Sequence, residues 1–231
     1  FIKFSLDFFH FLLLNEAFFR PLCKLKFMMR LLPLFIVLFL LFACKAPPKL
    51  PVYGKEYIQT DNGYDTIINK LATFEFIDQA GEVVNNATFS DKIFITDFFF
   101  TSCPSICPVM TKQLLRVHDA YLDYPEVTFL SHTIDPIRDS IQKLAAYANK
   151  IGVTTNEKWH FVTGEKDALY GMAEHYMIIA FADDEVPGGF EHSGYFILVD
   201  KEQQIRGYYD GTSENDVTKL IEDLEVLLDE Y

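Results

Sequence analysis

The sequence predicts an α/β sandwich in which helices flank a central mixed β-sheet. Short apolar runs typical of buried strands alternate with amphipathic helical segments through residues 72–231, which close with a hairpin and a helix. Two cysteines, Cys103 and Cys107, stand at the turn between the first long apolar run and the helix after it. A cysteine pair at that turn narrows the prediction to a thioredoxin-like fold.

Composition limits the classes of function. Half of the 231 residues are apolar, enough for a substantial core. The net charge is −13, and from Cys44 onward 31 acidic side chains face 15 basic ones. A surface of this sign repels nucleic acid, so we expect no nucleic-acid partner.

Residues 1–27 mix apolar and charged side chains without a regular period, and the first residue is phenylalanine. We expect this stretch to be an upstream, non-native extension of a protein that starts at Met28 or Met29.

Residues 28–44 have the pattern of a lipoprotein signal peptide. A basic start precedes the twelve-residue apolar run 31–42, which is shorter than the roughly 20 residues of a membrane span. The run leads into a lipobox-like ending, with leucine three residues before Cys44 and alanine directly before it. Cys44 is therefore the predicted lipidation site, and an uncleaved N-terminal anchor is the alternative. Both interpretations place the domain outside the cytoplasm, on the periplasmic side, tethered to a membrane.

Residues 45–71 are predicted to be a linker and a polar N-terminal segment, and the domain itself is assigned to 72–231. Pro47, Pro48 and Pro51 make the first part of the linker a stiff, extended spacer. Outside the cytoplasm, paired thiols are oxidised unless a reductant or a bound metal protects them.

Each element of the domain follows from a local pattern. Apolar runs predict strands, apolar stripes at helical spacing predict helices, and turn residues between two strand-like runs predict hairpins. Ser213, with Asp216 three residues later, predicts a capped start for the last helix. The expected elements are a hairpin over 74–77 and 83–84, strand 93–100, helix 109–122, strand 127–134, helix 139–150, strand 159–162, helix 166–176, strand 178–181, a polar mobile loop at 183–191, a hairpin over 195–199 and 205–209, and a helix after 213.

The CxxxC pair, Cys103 and Cys107, lies just before a helix that Pro108 opens. Unpaired N–H groups and the helix dipole stabilise anions there, so a thiol at this position ionises more readily than a free cysteine. Thiolate is the form that binds metals and attacks disulfides. Across about one helical turn the two sulfurs can face the same way. They can then form a redox pair or hold one soft metal ion, with a buried inert pair as the alternative.

Four linked motifs resemble the Sco/SenC family over about residues 72–228. They are Phe99 to Met110 around the two cysteines, Thr133 to Asp139, Trp159 to Gly164, and His192 ahead of Tyr195 to Asp200.

The resemblance implies a thioredoxin-like domain that binds one copper ion, as Cu(I) or Cu(II), through Cys103, Cys107 and His192. Members of the family serve in assembly of the dinuclear copper site of cytochrome c oxidase, as copper donors, as thiol reductants or as both. The implied partners are the copper-bearing subunit of the oxidase or another copper chaperone. Residues 1–71 lie outside the resemblance.

The residue types agree with a copper cofactor. Two thiolates and an imidazole form a soft ligand set that favours Cu(I) and can hold Cu(II), whereas zinc usually takes a fourth protein ligand or a water. His192 precedes a hairpin, where a thioredoxin-like fold returns the chain beside the cysteine turn. Ser193 and Gly194 follow it, where a free thioredoxin-type oxidoreductase would carry a proline.

Asp135 stands at the end of the predicted strand 127–134, where loops of open α/β sheets gather functional groups. The resemblance places this acidic position near the copper site. Asp135 is therefore predicted either to support the metal ligands or to take part in partner recognition, with capping of the turn before Pro136 as the alternative. Met110 and the other histidines of the domain are expected to be structural; these histidines are His118, His132, His160 and His175.

The function predicted first is a membrane-tethered copper metallochaperone, with thiol-disulfide reductase activity open. The first alternative is an extracytoplasmic thiol-disulfide oxidoreductase that uses the CxxxC pair without metal. His192 discriminates the two, because copper binding needs it and disulfide exchange mainly needs the two sulfurs. A sensor or interaction module that signals its copper or disulfide state is the second alternative.

Overall fold

The computed structural model describes residues 48–60, 63–68, 70–182 and 189–231. The chain divides into two compact units, Phe1–Pro48 and Lys49–Tyr231, and almost all described residues belong to the second. The expected extension 1–27, the signal peptide 28–44 with Cys44, and most of the expected loop 183–191 lie outside the described residues. None of the helices that the structure describes is long and apolar enough to cross a bilayer.

The described residues form eleven strands and four α-helices. In chain order these are β1 (Lys55–Thr60), β2 (Gly63–Ile68), β3 (Glu75–Asp78), β4 (Val83–Asn85), β5 (Ile93–Phe99), α1 (Cys107–Ala120), β6 (Val127–Thr133), α2 (Ile141–Lys150), β7 (Trp159–Thr163), α3 (Lys166–His175), β8 (Ala180–Ala182), β9 (Phe190–His192), β10 (Tyr195–Val199), β11 (Ile205–Asp210) and α4 (Glu214–Leu228).

Seven of the strands form one mixed sheet in the order β11-β10-β5-β6-β7-β3-β4. Strands β5, β6 and β7 run parallel, and the neighbours on both sides are antiparallel to them. Every residue of β5 and β6 is buried, as expected for central parallel strands covered on both faces. The predicted thioredoxin-like sandwich with a mixed central sheet is confirmed.

Several local predictions need correction. The first helix begins at Cys107 rather than 109, because proline is tolerated in the first helical turn. The polar stretch at 53–71 contains the hairpin β1-β2, which has no apolar alternation to reveal it. His118, expected to be structural, packs against Phe129 and Trp159, and its side chain is only 13% exposed.

His132 is fully buried in the middle of β6. Its ring stacks on Phe98 at 4.8 Å between centroids. It also makes a T-shaped contact with Phe76 and a tilted contact with Tyr176. Neither ring nitrogen has a hydrogen-bond partner among the described residues. Burial in this aromatic cluster lowers the pKa of His132 to about 3, so the folded protein keeps the ring neutral.

Substituting His132 by phenylalanine is expected to change how stability depends on pH. The unfolded chain binds the histidine proton below about pH 6.5 and the folded chain only near pH 3, so His132 destabilises the protein as the pH falls. Between pH 7 and pH 5 the unfolding free energy of wild type should fall by about 2 kcal/mol relative to the variant. Urea unfolding at the two pH values measures this difference.

The comparison has to be made between proteins rather than on wild type alone. Burial raises the pKa of Asp97 to about 6, which acts in the opposite direction and is common to both proteins. As a control, replacing the exposed His175 by glutamine should leave the pH dependence of wild type unchanged. A parallel pH dependence in wild type and His132→Phe would show that the buried ring is not the titrating group.

Candidate metal centre

The cysteine turn joins the end of β5 to the start of α1. Cys107 is the first residue of α1 and is 3% exposed, and Pro108 occupies the first turn. Cys103 lies in the preceding turn, where its N–H donates to the carbonyl of Phe100 at 3.2 Å, and its side chain is partly exposed. Both cysteines are free thiols. The more accessible sulfur therefore belongs to Cys103.

His192 is the last residue of β9 and lies 85 residues after Cys107 in the sequence. A two-stranded ribbon holds it, since Ala180 of β8 pairs with His192 and Ser193 donates its N–H to the carbonyl of Ile179 at 2.9 Å. The edge of its ring packs against Phe100 at 6.1 Å between centroids. These contacts direct the imidazole at the helix N-terminus.

Gly194 is the second residue after His192 and lies against α1. A Cβ at this position would stand 3.3 Å from Cδ1 of Ile106 and 3.6 Å from Sδ of Met110. Its carbonyl also accepts the N–H of Gly211 at 2.7 Å. The chain beside His192 therefore passes the cysteine helix closely, and a small residue suits that approach. Met110 itself is buried, as expected for a core residue.

The donor atoms of Cys103, Cys107 and His192 lie within 4.8 Å of one another. Sγ of Cys107 and Nε2 of His192 are 3.6 Å apart. Among the residues that the structure describes, this is the one group of three or more histidine, cysteine or acidic side chains close enough to share a metal ion. The structure thus brings together the three residues for which the sequence predicts metal binding.

The two thiols differ in acidity. A hydrogen bond from the Cys107 thiol holds the pKa of Cys103 well below the usual range of a thiol, with further support from His192 and from the N–H groups of Ser105 and Cys107. The same hydrogen bond and burial raise the pKa of Cys107. Without metal, the pair therefore favours ionisation of Cys103 over ionisation of Cys107. A metal held by both sulfurs must displace the proton of Cys107.

Asp139 fixes the segment that leads into the cysteine turn. Its buried carboxylate accepts the N–H of Thr101 at 3.0 Å, the hydroxyl of Thr101 at 2.5 Å and the hydroxyl of Thr133 at 2.7 Å. Nothing in the sequence pattern indicates this role, because an aspartate at the start of a predicted helix most often caps it. Here Ser140 caps α2 instead. Asp139 is therefore free to tie the β6-α2 turn to the residues before Cys103.

Asp135 does not belong to the cysteine-histidine cluster. It is buried at the end of β6, where its carboxylate pairs with Arg138 and its N–H donates to Thr133 at 3.1 Å. The supporting role expected for it stays a prediction.

His160 is also outside the cysteine-histidine cluster, and its Nδ1 lies 3.0 Å from Oδ2 of Asp78.

These features define a class of protein: a thioredoxin-like domain with two cysteines and a histidine gathered at the start of the helix after the first long strand. Within that class, the chain belongs to the SCO1/SenC family, whose model matches residues 66–229.

Known proteins with a similar sequence or fold carry the same family names. The chain is 27% identical to the SCO2-like protein of Rickettsia typhi over 183 residues, 75% of this chain and 84% of that one. A SCO1/SenC family lipoprotein from Bacillus anthracis superposes with a TM-score of 0.63 and 25% identity over 69% of this chain and 95% of that one.

Two solved structures with lower identity share the fold. Arabidopsis thaliana ScoI with copper bound matches with a TM-score of 0.60 and 23% identity, over 71% of this chain and all of that one. BsSco, described as a member of the Sco family of cytochrome c oxidase assembly proteins with a disulfide switch, matches with a TM-score of 0.58 and 21% identity, over 68% and 94% of the two chains.

Proposed function

We propose that this protein is a copper metallochaperone that binds one copper ion through Cys103, Cys107 and His192. The observation that carries the proposal is the convergence of two sulfurs and one imidazole nitrogen within 4.8 Å. Soft sulfur ligands with imidazole suit Cu(I) and can also hold Cu(II), so the donor set fits copper as cargo. Three protein ligands leave coordination open for a ligand of the receiving protein.

The site has the features that delivery requires. Cys103 is partly exposed, so a ligand from a partner can approach the copper from its side while the buried Cys107 keeps its position. The Asp139 carboxylate accepts two hydrogen bonds from Thr101 and so fixes the segment before Cys103. Cargo can then leave by stepwise exchange of ligands without unfolding of the turn.

The recipient that we propose is the copper-bearing subunit of cytochrome c oxidase or another copper chaperone. Support comes from the SCO1/SenC family and from the description of BsSco as an oxidase assembly protein. We also propose that a lipid on Cys44 tethers the domain on the periplasmic side of a membrane, as the signal-like sequence 28–44 suggests and as the name of the Bacillus anthracis lipoprotein supports.

A second candidate is thiol-disulfide exchange without metal. The unequal acidity of the two thiols favours it, because an accessible thiolate at Cys103 can attack a disulfide and a protonated Cys107 can then resolve the product. The proposals differ in what they ask of His192.

Replacing His192 by alanine is expected to lower Cu(I) affinity about a hundredfold, or about 2.7 kcal/mol, because one of three ligands is lost. The measurement is an anaerobic Cu(I) titration against a chromophoric competitor. The full chain should carry Cys23→Ser and Cys44→Ser, so that Cys103 and Cys107 are the only thiols.

The matched control is His175→Ala, which removes an exposed histidine and should bind copper as wild type does. One copper per chain, bound tightly in wild type and weakly in His192→Ala, supports the chaperone. Equal affinity in both would remove His192 from the site and favour the oxidoreductase, with copper as a guest on two thiols.

A further inference from the structure

A groove between α1 and α2 ends at the two cysteine sulfurs. Its volume is about 330 Å³, and we call it the thiol groove. Phe100, Leu115 and Ile151 form its apolar floor. The hydroxyls of Thr111 and Tyr147, which also line it, share a hydrogen bond of 2.6 Å that ties α1 to α2. The groove therefore has a fixed width and opens directly beside Cys103 and Cys107.

The charge at the rim of the thiol groove opposes the charge of the protein. Lys112 of α1 and Lys150 of α2 line it, both are exposed, and none of the described residues lining it is acidic. Neither ammonium pairs with a carboxylate in the part of the chain that the structure describes. In a chain of net charge −13, two unpaired lysines beside a reactive sulfur pair form a local basic site.

The length of the groove limits what it can hold. Its lining on α1 extends from Cys107 to Leu115, about 12 Å at the helical rise of about 1.5 Å per residue. An extended chain covers that distance in about four residues. A groove with both apolar and basic lining residues suits an extended peptide, because alternate side chains of the peptide can contact the apolar residues and the lysines.

We propose that the thiol groove binds an extended segment of a partner protein in which acidic residues flank a cysteine. The carboxylates of the segment would meet Lys112 and Lys150, and its apolar side chains would cover Phe100 and Leu115. The cysteine sulfur of the segment would then lie beside Cys103, where copper or a disulfide can be exchanged. The proposal rests on the proposed function in one respect, since it takes these sulfurs as the reacting atoms.

The test measures how fast reduced protein, in the Cys23→Ser and Cys44→Ser background, reacts with two pyridyl-disulfide peptides. Each has five residues with a central cysteine between leucines, and the outer residues are glutamates in one peptide and lysines in the other. The Cys103 thiolate attacks the peptide sulfur, forms a mixed disulfide and releases 2-thiopyridone, which is followed by absorbance. The Cys107 thiol then displaces the peptide thiol and closes the protein disulfide, so two electrons pass from the protein to the probe.

The charge-reversal variant Lys112→Glu/Lys150→Glu should react about tenfold more slowly than wild type with the acidic peptide, and faster with the basic one. The control Lys70→Glu/Lys143→Glu changes the net charge equally at exposed positions outside the groove, and its rates should stay within about twofold of wild type. An uncharged cysteine derivative that carries the same pyridyl disulfide should react equally with all three proteins, because it has no charge to meet the lysines. Equal slowing in the control, or no slowing in the groove variant, would overturn the proposal.

Copper titration separates this proposal from the proposed function. The groove variant keeps all three donor side chains, so its Cu(I) affinity should equal that of wild type. Wild-type copper binding together with an unchanged peptide rate rejects the groove alone. Weak copper binding in wild type together with the expected peptide rates rejects the chaperone and leaves the groove as a substrate site of an oxidoreductase.

Discussion

Serine in place of Cys107 is expected to lower Cu(I) affinity about a thousandfold, or about 4 kcal/mol. The change exchanges a soft thiolate for a hydroxyl that stays protonated at neutral pH and is a poor ligand for Cu(I). Cys103 and His192 remain, and two ligands hold the ion less tightly than three. The effect should exceed that of His192→Ala, because sulfur is the better donor for Cu(I). Competitive titration as above measures it.

The matched control for this variant is Met110→Leu. Met110 is a buried sulfur in the same turn of α1, and leucine conserves its volume, so copper affinity should not change. An equal loss in both variants would mean that the fold of α1, and not the ligand, sets the affinity. Thermal unfolding of the metal-free proteins checks that serine leaves the domain intact.

Cys107→Ser also tests, by a second measurement, whether Cys107 is the resolving thiol. In an oxidoreductase, Cys107 resolves the mixed disulfide that Cys103 forms, so the serine variant should accumulate that adduct with the pyridyl-disulfide peptides. Mass spectrometry detects it directly. Stable adduct formation with little change in copper affinity would support the oxidoreductase over the chaperone.

The sheet and its helices could be predicted because burial leaves a periodic pattern in the sequence. Strand β5 is buried on both faces, and the sequence correspondingly has an almost unbroken apolar run at 93–99. The capped start of α4 was also visible, and Ser213 does accept the N–H of Asp216 at 3.3 Å. Where an element packs on the core and has its own start and stop residues, local reasoning is sufficient.

The ribbon that carries His192 was predicted only in part. The apolar run at 178–181 predicts a strand, and β8 covers 180–182, whereas β9 begins inside the stretch 183–191 that was expected to be a loop. An apolar pattern in the sequence indicates which residues pack against the core. A short ribbon with exposed residues leaves little of that pattern. The thioredoxin-like fold predicts that the chain returns beside the cysteine turn at His192, and the folded structure adds the distance of 3.6 Å between Nε2 of His192 and Sγ of Cys107.

Polar contacts inside the fold were equally hidden. Asp139 resembles a helix cap in sequence and instead holds Thr101, because the β6-α2 turn lies against the segment before the cysteines. His132 was expected to be structural, but the sequence did not show that it lies in a central strand whose residues are all buried. Both positions are determined by contacts between distant segments, which no local pattern encodes.

Replacing Arg206 by methionine is expected to destabilise the protein by about 3–5 kcal/mol. Arg206 is 5% exposed and donates to Asp200 at 3.0 Å and to Glu230 at 2.7 Å. It also donates to the carbonyls of Leu50 at 2.8 Å and Pro51 at 3.0 Å. Removing the guanidinium leaves Asp200 buried without its counter-charge and frees the segment at 50–51. Urea unfolding at neutral pH measures the loss.

Two further variants show whether the unpaired carboxylate causes that loss. Asp200→Asn in the Arg206→Met background should recover part of the stability, because a neutral amide costs less to bury than a lone carboxylate. Lys219→Met removes a largely exposed ion pair with Asp223 and should cost no more than about 0.5 kcal/mol. Equal losses of unfolding free energy in the Arg206 and Lys219 variants would show that burial of the Arg206 ion pairs does not increase their contribution to stability. If they differ as expected, the buried guanidinium of Arg206 stabilises the domain through Asp200 and Glu230 and through the carbonyls of Leu50 and Pro51.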